Sequence, residues 1–159
     1  MKKVLFFALF FSGALALRGQ DYLNVMTFNL RYNNPGDSSN AWPFRIDKAA
    51  SQILFNEVHL LGVQEALHDQ MEDLQQRLPQ FRYVGVGRDD GKEKGEYSAI
   101  FFDTSRLRLL ESQTFWLSTT PSVPGSKGWD AAITRIVTWA RFTDKYNGKT
   151  FYMFNTHFD

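Results

Sequence analysis

The chain has 159 residues, 43% hydrophobic and 16% aromatic, enough for one core of ordinary domain size and too apolar for intrinsic disorder. Its 18 basic and 17 acidic residues nearly cancel to a net charge of +1, with no run of like charge, which argues against a dedicated nucleic-acid arm or a polybasic membrane patch. With no cysteine, a disulfide framework, a thiolate zinc site, a cysteine nucleophile and a lipid-modified cysteine are all excluded.

Lys2 and Lys3 precede an apolar run from Val4 to Leu17, with small residues at Ala14 to Ala16, the order of a secretory signal. The run is shorter than the roughly 20 residues a membrane span needs, so no transmembrane segment is expected. An amino-terminal anchor or a buried helix is the alternative. On the signal reading, residues 1–20 are removed and residues 21–159 form one exported domain, periplasmic or extracellular.

Tyr22 to Leu30 is rich in β-formers and predicts a strand, followed by a long loop marked by Pro35, Gly36 and neighbouring polar residues. Ile46, Ala49, Ala50, Ile53, Leu54 and Val58 recur at helical spacing. Leu60 to Glu65 predicts a short buried strand, and Leu67, Met71, Leu74 and Leu78 a second helix ended by Pro79. Strand, helix, strand, helix is most simply a parallel crossover with both helices on one face of a sheet. Beyond Phe81 the texture is strands separated by turns. In Phe151 to Phe158 both alternating sets carry large apolar residues, which predicts burial on both faces and a second sheet.

Three of these strands turn polar at their carboxyl ends: the first at Asn29, the second at Glu65, the last at Asn155 and His157. A carboxylate, a carboxamide and a histidine without thiols suit a hard, oxygen-ligated cation such as Mg²⁺. Glu65 would be its ligand, and Asn29 would orient Glu65 or hold a bound water. His157 would meet a phosphate oxygen, and Arg135 would add a fixed cation. Each has a plainer reading. Glu65 also fits a carboxylate favoured by the following helix's amino terminus, Asn29 a turn former, His157 a structural histidine and Arg135 a paired surface cation. Trp42, Trp116 and Trp129 lie in or beside long loops and would line a substrate cleft or pack the loops.

Taken in order, MTFNLR, LGVQEA, GEYSAIFF, TRIVTWARF and NTHFD resemble the endonuclease/exonuclease/phosphatase superfamily, above all its exported bacterial members. The resemblance implies a four-layered α/β sandwich, two mixed sheets flanked by helices, and cleavage of phosphoester bonds, diesters foremost, with Mg²⁺ or Mn²⁺. It places Asn29 and Glu65 at the metal site, His157 and Asn155 in the N-T-H motif, and Arg135 against phosphate. Glu96 becomes the acidic partner of the histidine, and Asp159 a support of the site. The resemblance also implies about 100 further residues carrying later catalytic motifs. The chain alone is therefore expected to be inactive or nearly so, with apolar strands exposed. The substrate class stays open among nucleic acid, phospholipid headgroup, inositol phosphate and sugar phosphodiester, with the charge balance disfavouring long DNA. The rival expectation is an exported, non-catalytic domain that binds glycans through its aromatic residues.

Overall fold

The computed structural model describes residues 22–158. The expected signal of residues 1–20 and the site role given to Asp159 lie outside the described residues.

Strand β1 (Val25–Asn29) pairs in parallel with β2 (Leu60–Gln64), from Val25 opposite Leu60 to Asn29 opposite Gln64. Parallel partners need a long crossover. Here it contains two short 3-10 turns, Pro35–Asn40 and Trp42–Phe44, and helix α1 (Ile46–Phe55). The loop expected after β1 is thus partly ordered. Trp42 is not in a cleft: it is 1% exposed and its indole N–H donates to Asp73 Oδ2 at 2.9 Å.

Helix α1 buries Ile46, Ala49, Ala50 and Ile53, while Leu54 is 48% exposed because it falls about 100° round the helix from Ile53. Helix α2 (His68–Arg77) buries Gln70, Met71 and Leu74, and Leu78 closes it. Both helices cover one face of the first sheet, meeting Leu61, Val63, Phe81 and Phe101 in a shared core. Each such aliphatic or aromatic side chain stabilises the fold by about 1.5–3 kcal/mol through removal from water.

The first sheet is completed by β3 (Phe81–Val84) and β4 (Ile100–Asp103), in the order β1-β2-β4-β3, with β4 antiparallel to both neighbours. The second sheet holds β5 (Leu107–Trp116), β6 (Ile136–Asp144) and β7 (Thr150–Thr156), antiparallel throughout. Leu60, Ile100 and Phe102 from the first sheet and Leu107, Ala140 and Phe142 from the second form the core between them, with Phe151 and Met153 packed against it. The expected pair of sheets with helices is therefore present.

The outer face of β7 departs from the burial that its composition predicts and agrees with the expectation of exposed apolar strands in this chain alone. Phe151 and Met153 point inward, but Tyr152 is 57% and Phe154 62% exposed. Together with Trp139 they form an aromatic cluster, with ring centroids 5.9–6.4 Å apart. Among the described residues no helix covers that face, so three layers of the expected four are seen.

Candidate active site

The parallel strands β1 and β2 end side by side, and both chains kink there. Arg31 has φ 57° and Glu65 φ 63°, the left-handed region that side chains with a Cβ disfavour. The kink at Glu65 turns its carboxylate toward β1. Asn29 Nδ2 donates to Glu65 Oε1 at 2.8 Å, and the Tyr32 N–H donates to Oε2 at 3.3 Å. Strain of this kind persists only where the surroundings over-determine it.

Those surroundings are polar and specific. Buried Gln70 accepts the Asn33 N–H at 2.7 Å and donates to the Arg31 carbonyl at 3.0 Å, while Arg45 donates to the Leu30 carbonyl at 2.7 Å. Asn29 Oδ1 accepts the Arg31 N–H at 2.9 Å, so its amide is committed at both ends. Arg31 in turn donates twice to Asp37, at 3.0 Å each, and that hydrogen bonding holds the Asp37 carboxyl below its ordinary range.

The second sheet reaches the same place through β7. Asn155 donates to the carbonyls of Val63 and Ala99, both at 2.8 Å, and accepts from Gln64 Nε2 at 2.7 Å. Gly62 makes this approach possible, since a Cβ there would lie 2.8 Å from Asn155 Oδ1. Asn155 is buried and fully engaged, and so acts as a positioning residue that joins the two sheets. Two residues on, His157 enters a pocket lined also by Glu65, Arg88, Glu96, Ser98 and Arg135. The pocket is tight, leaving about 10 Å³, room for one ion or water rather than a phosphoryl group. A phosphate would bind at its mouth.

Glu65, His157, Arg135 and Glu96 are thus brought together, with Asn29 bound to Glu65 at the rim. The expected pairing of Glu96 with His157 is not made. Arg88 Nη1 binds Glu96 Oε2 at 2.9 Å, and His157 Nδ1 is buried without a hydrogen-bond partner. The isolated bridge between Ala66 and Tyr97 sets this geometry by fixing Glu96 near the end of β2. Trp116 sits behind the pocket. It is 5% exposed, its indole N–H donates to the Arg88 carbonyl at 2.6 Å, and it lines a neighbouring cavity of about 360 Å³ with Gly91, Pro124 and Thr138, outside the pocket of Glu65 and His157. Trp129 is 73% exposed. Arg88 and Gln64 are the residues that sequence reasoning missed, although Arg88 stands at the head of a turn rich in Asp and Gly that could have drawn attention to it.

The donors fit a lightly held hard cation. Among the described residues no group of three or more His, Cys, Asp or Glu side chains is placed to hold a metal, so a closed zinc-type cage is not formed. One oriented carboxylate with space for water matches what Mg²⁺ takes from a protein, and the buried Nδ1 of His157 in the same pocket is a polar atom left unsatisfied.

No family model matches the chain. Solved structures do. An endonuclease/exonuclease/phosphatase from Bacteroides vulgatus is 46% identical with a TM-score of 0.81, over 85% of this chain and 51% of that one. A mannosyl-6-phosphatase from Bacteroides thetaiotaomicron is 44% identical with a TM-score of 0.83, over 87% of this chain and 52% of that one. An uncharacterised protein of Acanthamoeba polyphaga mimivirus is 34% identical over 110 residues, 67% of this chain and 39% of its own length. The chain spans about half the length of the solved structures it matches, and over that span fold and sequence together make it a member of the endonuclease/exonuclease/phosphatase superfamily.

Proposed function

We propose that this chain carries the cation- and phosphate-binding side of a phosphoester hydrolase whose substrates are phosphorylated sugars. The observation that carries the reading is the Asn29-oriented carboxylate of Glu65, sharing one pocket with His157, Arg88 and Arg135 at the joint end of two sheets. The sugar class is supported by the mannosyl-6-phosphatase at 44% identity, and by a charge balance that offers no track for a polyanion. That relative's name favours a phosphomonoester over the diester expected from sequence.

Glu65 and the waters around it would hold Mg²⁺ or Mn²⁺, which when bound polarises a phosphoryl oxygen and stabilises the charge that grows there. The residues do the rest. Arg135 orients the phosphoryl group, and His157 offers a ring nitrogen to one of its oxygens, strongest as charge accumulates. Arg88 neutralises Glu96, so that this second carboxylate does not repel the incoming anion. Export to the periplasm or beyond belongs to the same proposal and rests on residues 1–20. Among the described residues no helix is long and apolar enough to cross a membrane.

The test is calorimetric titration of the chain with Mn²⁺, then with inorganic phosphate in its presence. Cation binding lost in Glu65→Gln, and phosphate binding lost in Arg135→Met, are the expected results. Unchanged binding of both ligands in both variants would refute the reading.

A further inference from the structure

Trp129 combines two unfavourable states. Its indole is 73% exposed, against the hydrophobic effect, and its φ is 53°, a backbone conformation that bulky side chains avoid. The segment around it is not loose. Gly128 lies so close to Ser118 that a Cβ would come within 2.5 Å of the Ser118 Cα. Ser118 Oγ and Ser126 Oγ are hydrogen-bonded at 2.8 Å, Thr134 Oγ1 donates to the Gly125 carbonyl at 3.3 Å, and the Ala131 N–H donates to the Gly128 carbonyl at 3.3 Å. A pinned loop that holds an aromatic ring out in water is a local arrangement with a cost and no packing return.

Its position indicates what the ring is for. Ser118 follows Leu117, whose N–H donates to the Arg135 carbonyl at 2.8 Å, and Arg135 and Thr134 line the pocket with Glu65 and His157. The loop that carries Trp129 therefore borders the proposed phosphate site. Val123 and Ile133, in the same loop, are 50% and 42% exposed and extend its apolar surface.

We infer that the Trp129 indole is a stacking platform for the hexose ring of a sugar phosphate, reading the alcohol part of the ester while Glu65 and Arg135 read its phosphate. The inference rests on the function proposed above. A pyranose has one face of C–H bonds that packs on an indole while its hydroxyls stay in water, which suits a platform left open to solvent. Because the ring touches the sugar and not the phosphate, it sets which ester binds and leaves the affinity for bare phosphate alone.

The experiment compares the full chain with Trp129→Ala and Trp129→Phe by calorimetry in Mg²⁺, using mannose 6-phosphate, glucose 6-phosphate and inorganic phosphate, with thermal unfolding of each variant. Both hexose phosphates are expected to bind about tenfold more tightly than inorganic phosphate. Trp129→Ala should abolish that advantage, Trp129→Phe should keep most of it, and neither should change phosphate affinity or lower the melting temperature. If phosphate binds but the sugars gain nothing, or if Trp129→Ala weakens all three ligands alike, the inference falls and the phosphate site stands. A marked fall in melting temperature for Trp129→Ala would assign the ring to packing and overturn it too. Absence of binding by any of the three would overturn both readings.

Discussion

Asn29 reaches across from the end of β1 to hold one oxygen of Glu65 at 2.8 Å, so a neighbouring strand fixes the carboxylate that the kink at Glu65 turns toward it. Removing the ligand and removing its orienter should therefore differ in degree. Glu65→Gln is expected to abolish Mn²⁺ binding, while Asn29→Ala weakens it about tenfold, within the 10–100-fold span typical of residues that position a ligand. Titration followed by Mn²⁺ electron paramagnetic resonance measures both. Equal losses in the two variants would mean that Asn29 binds the cation directly.

Asn155 satisfies two buried carbonyls on the other sheet and accepts from Gln64. Asn155→Ala would remove a donor from the Val63 carbonyl, at about 1–3 kcal/mol for a buried group left unsatisfied, while the Ala99 carbonyl keeps the Val63 N–H at 2.9 Å. A melting temperature lowered by several degrees in calorimetry is expected. Gly62→Ala should produce a similar loss by pushing the same side chain away.

Asp144 ties the turn after β6 to the start of β5. It accepts two hydrogen bonds from Arg106, at 2.7 and 2.8 Å, with further donors at Tyr146 and Asn147. The bonds from Arg106 hold its carboxyl below the ordinary range, so folding favours the charged form. A depressed folded pKa gives stability that is present above the unfolded value and is lost as pH falls through the folded one. Asp144→Asn should cost about 1.5–3 kcal/mol at neutral pH by removing the charge from the bonds that Arg106 makes. The gap to wild type should narrow below about pH 4, as urea unfolding at pH 7 and pH 3 would show.

The uncovered aromatic face of β6 and β7 predicts self-association of this stretch of chain when it stands alone. Tyr152→Thr with Phe154→Thr replaces two rings that are more than half exposed and keeps β propensity. Sedimentation velocity should show less association in the double variant, with the melting temperature almost unchanged. Association equal to wild type would place the sticky surface elsewhere.

Much of this architecture was legible because local pattern and tertiary role agree. Ile46, Ala49, Ala50 and Ile53 are spaced for one helix face and occupy one, and the strand ends at Asn29, Glu65 and His157 converge as their polarity suggested. What failed to show depends on distance. The tryptophans at 42 and 116 look like the one at 129 in a sequence, and only packing separates two buried donors from an exposed ring. Glu96 was expected to pair with His157, and beside the bridge from Ala66 to Tyr97 it binds Arg88 through turn geometry that no spacing encodes. Tyr152 and Phe154 read as buried because apolar composition reports what a strand is able to bury, not whether a layer is there to cover it.

The hydrogen bond between Gln64 and Asn155 joins residues 91 apart in the chain. Hairpins such as β6 with β7 close over short loops, whereas this bond must wait for nearly the whole described chain to be in place. His157 depends on it for its position against Glu65. In time, then, the site is expected to be among the last parts of the fold to assemble, and the meeting of its groups marks the completion of folding.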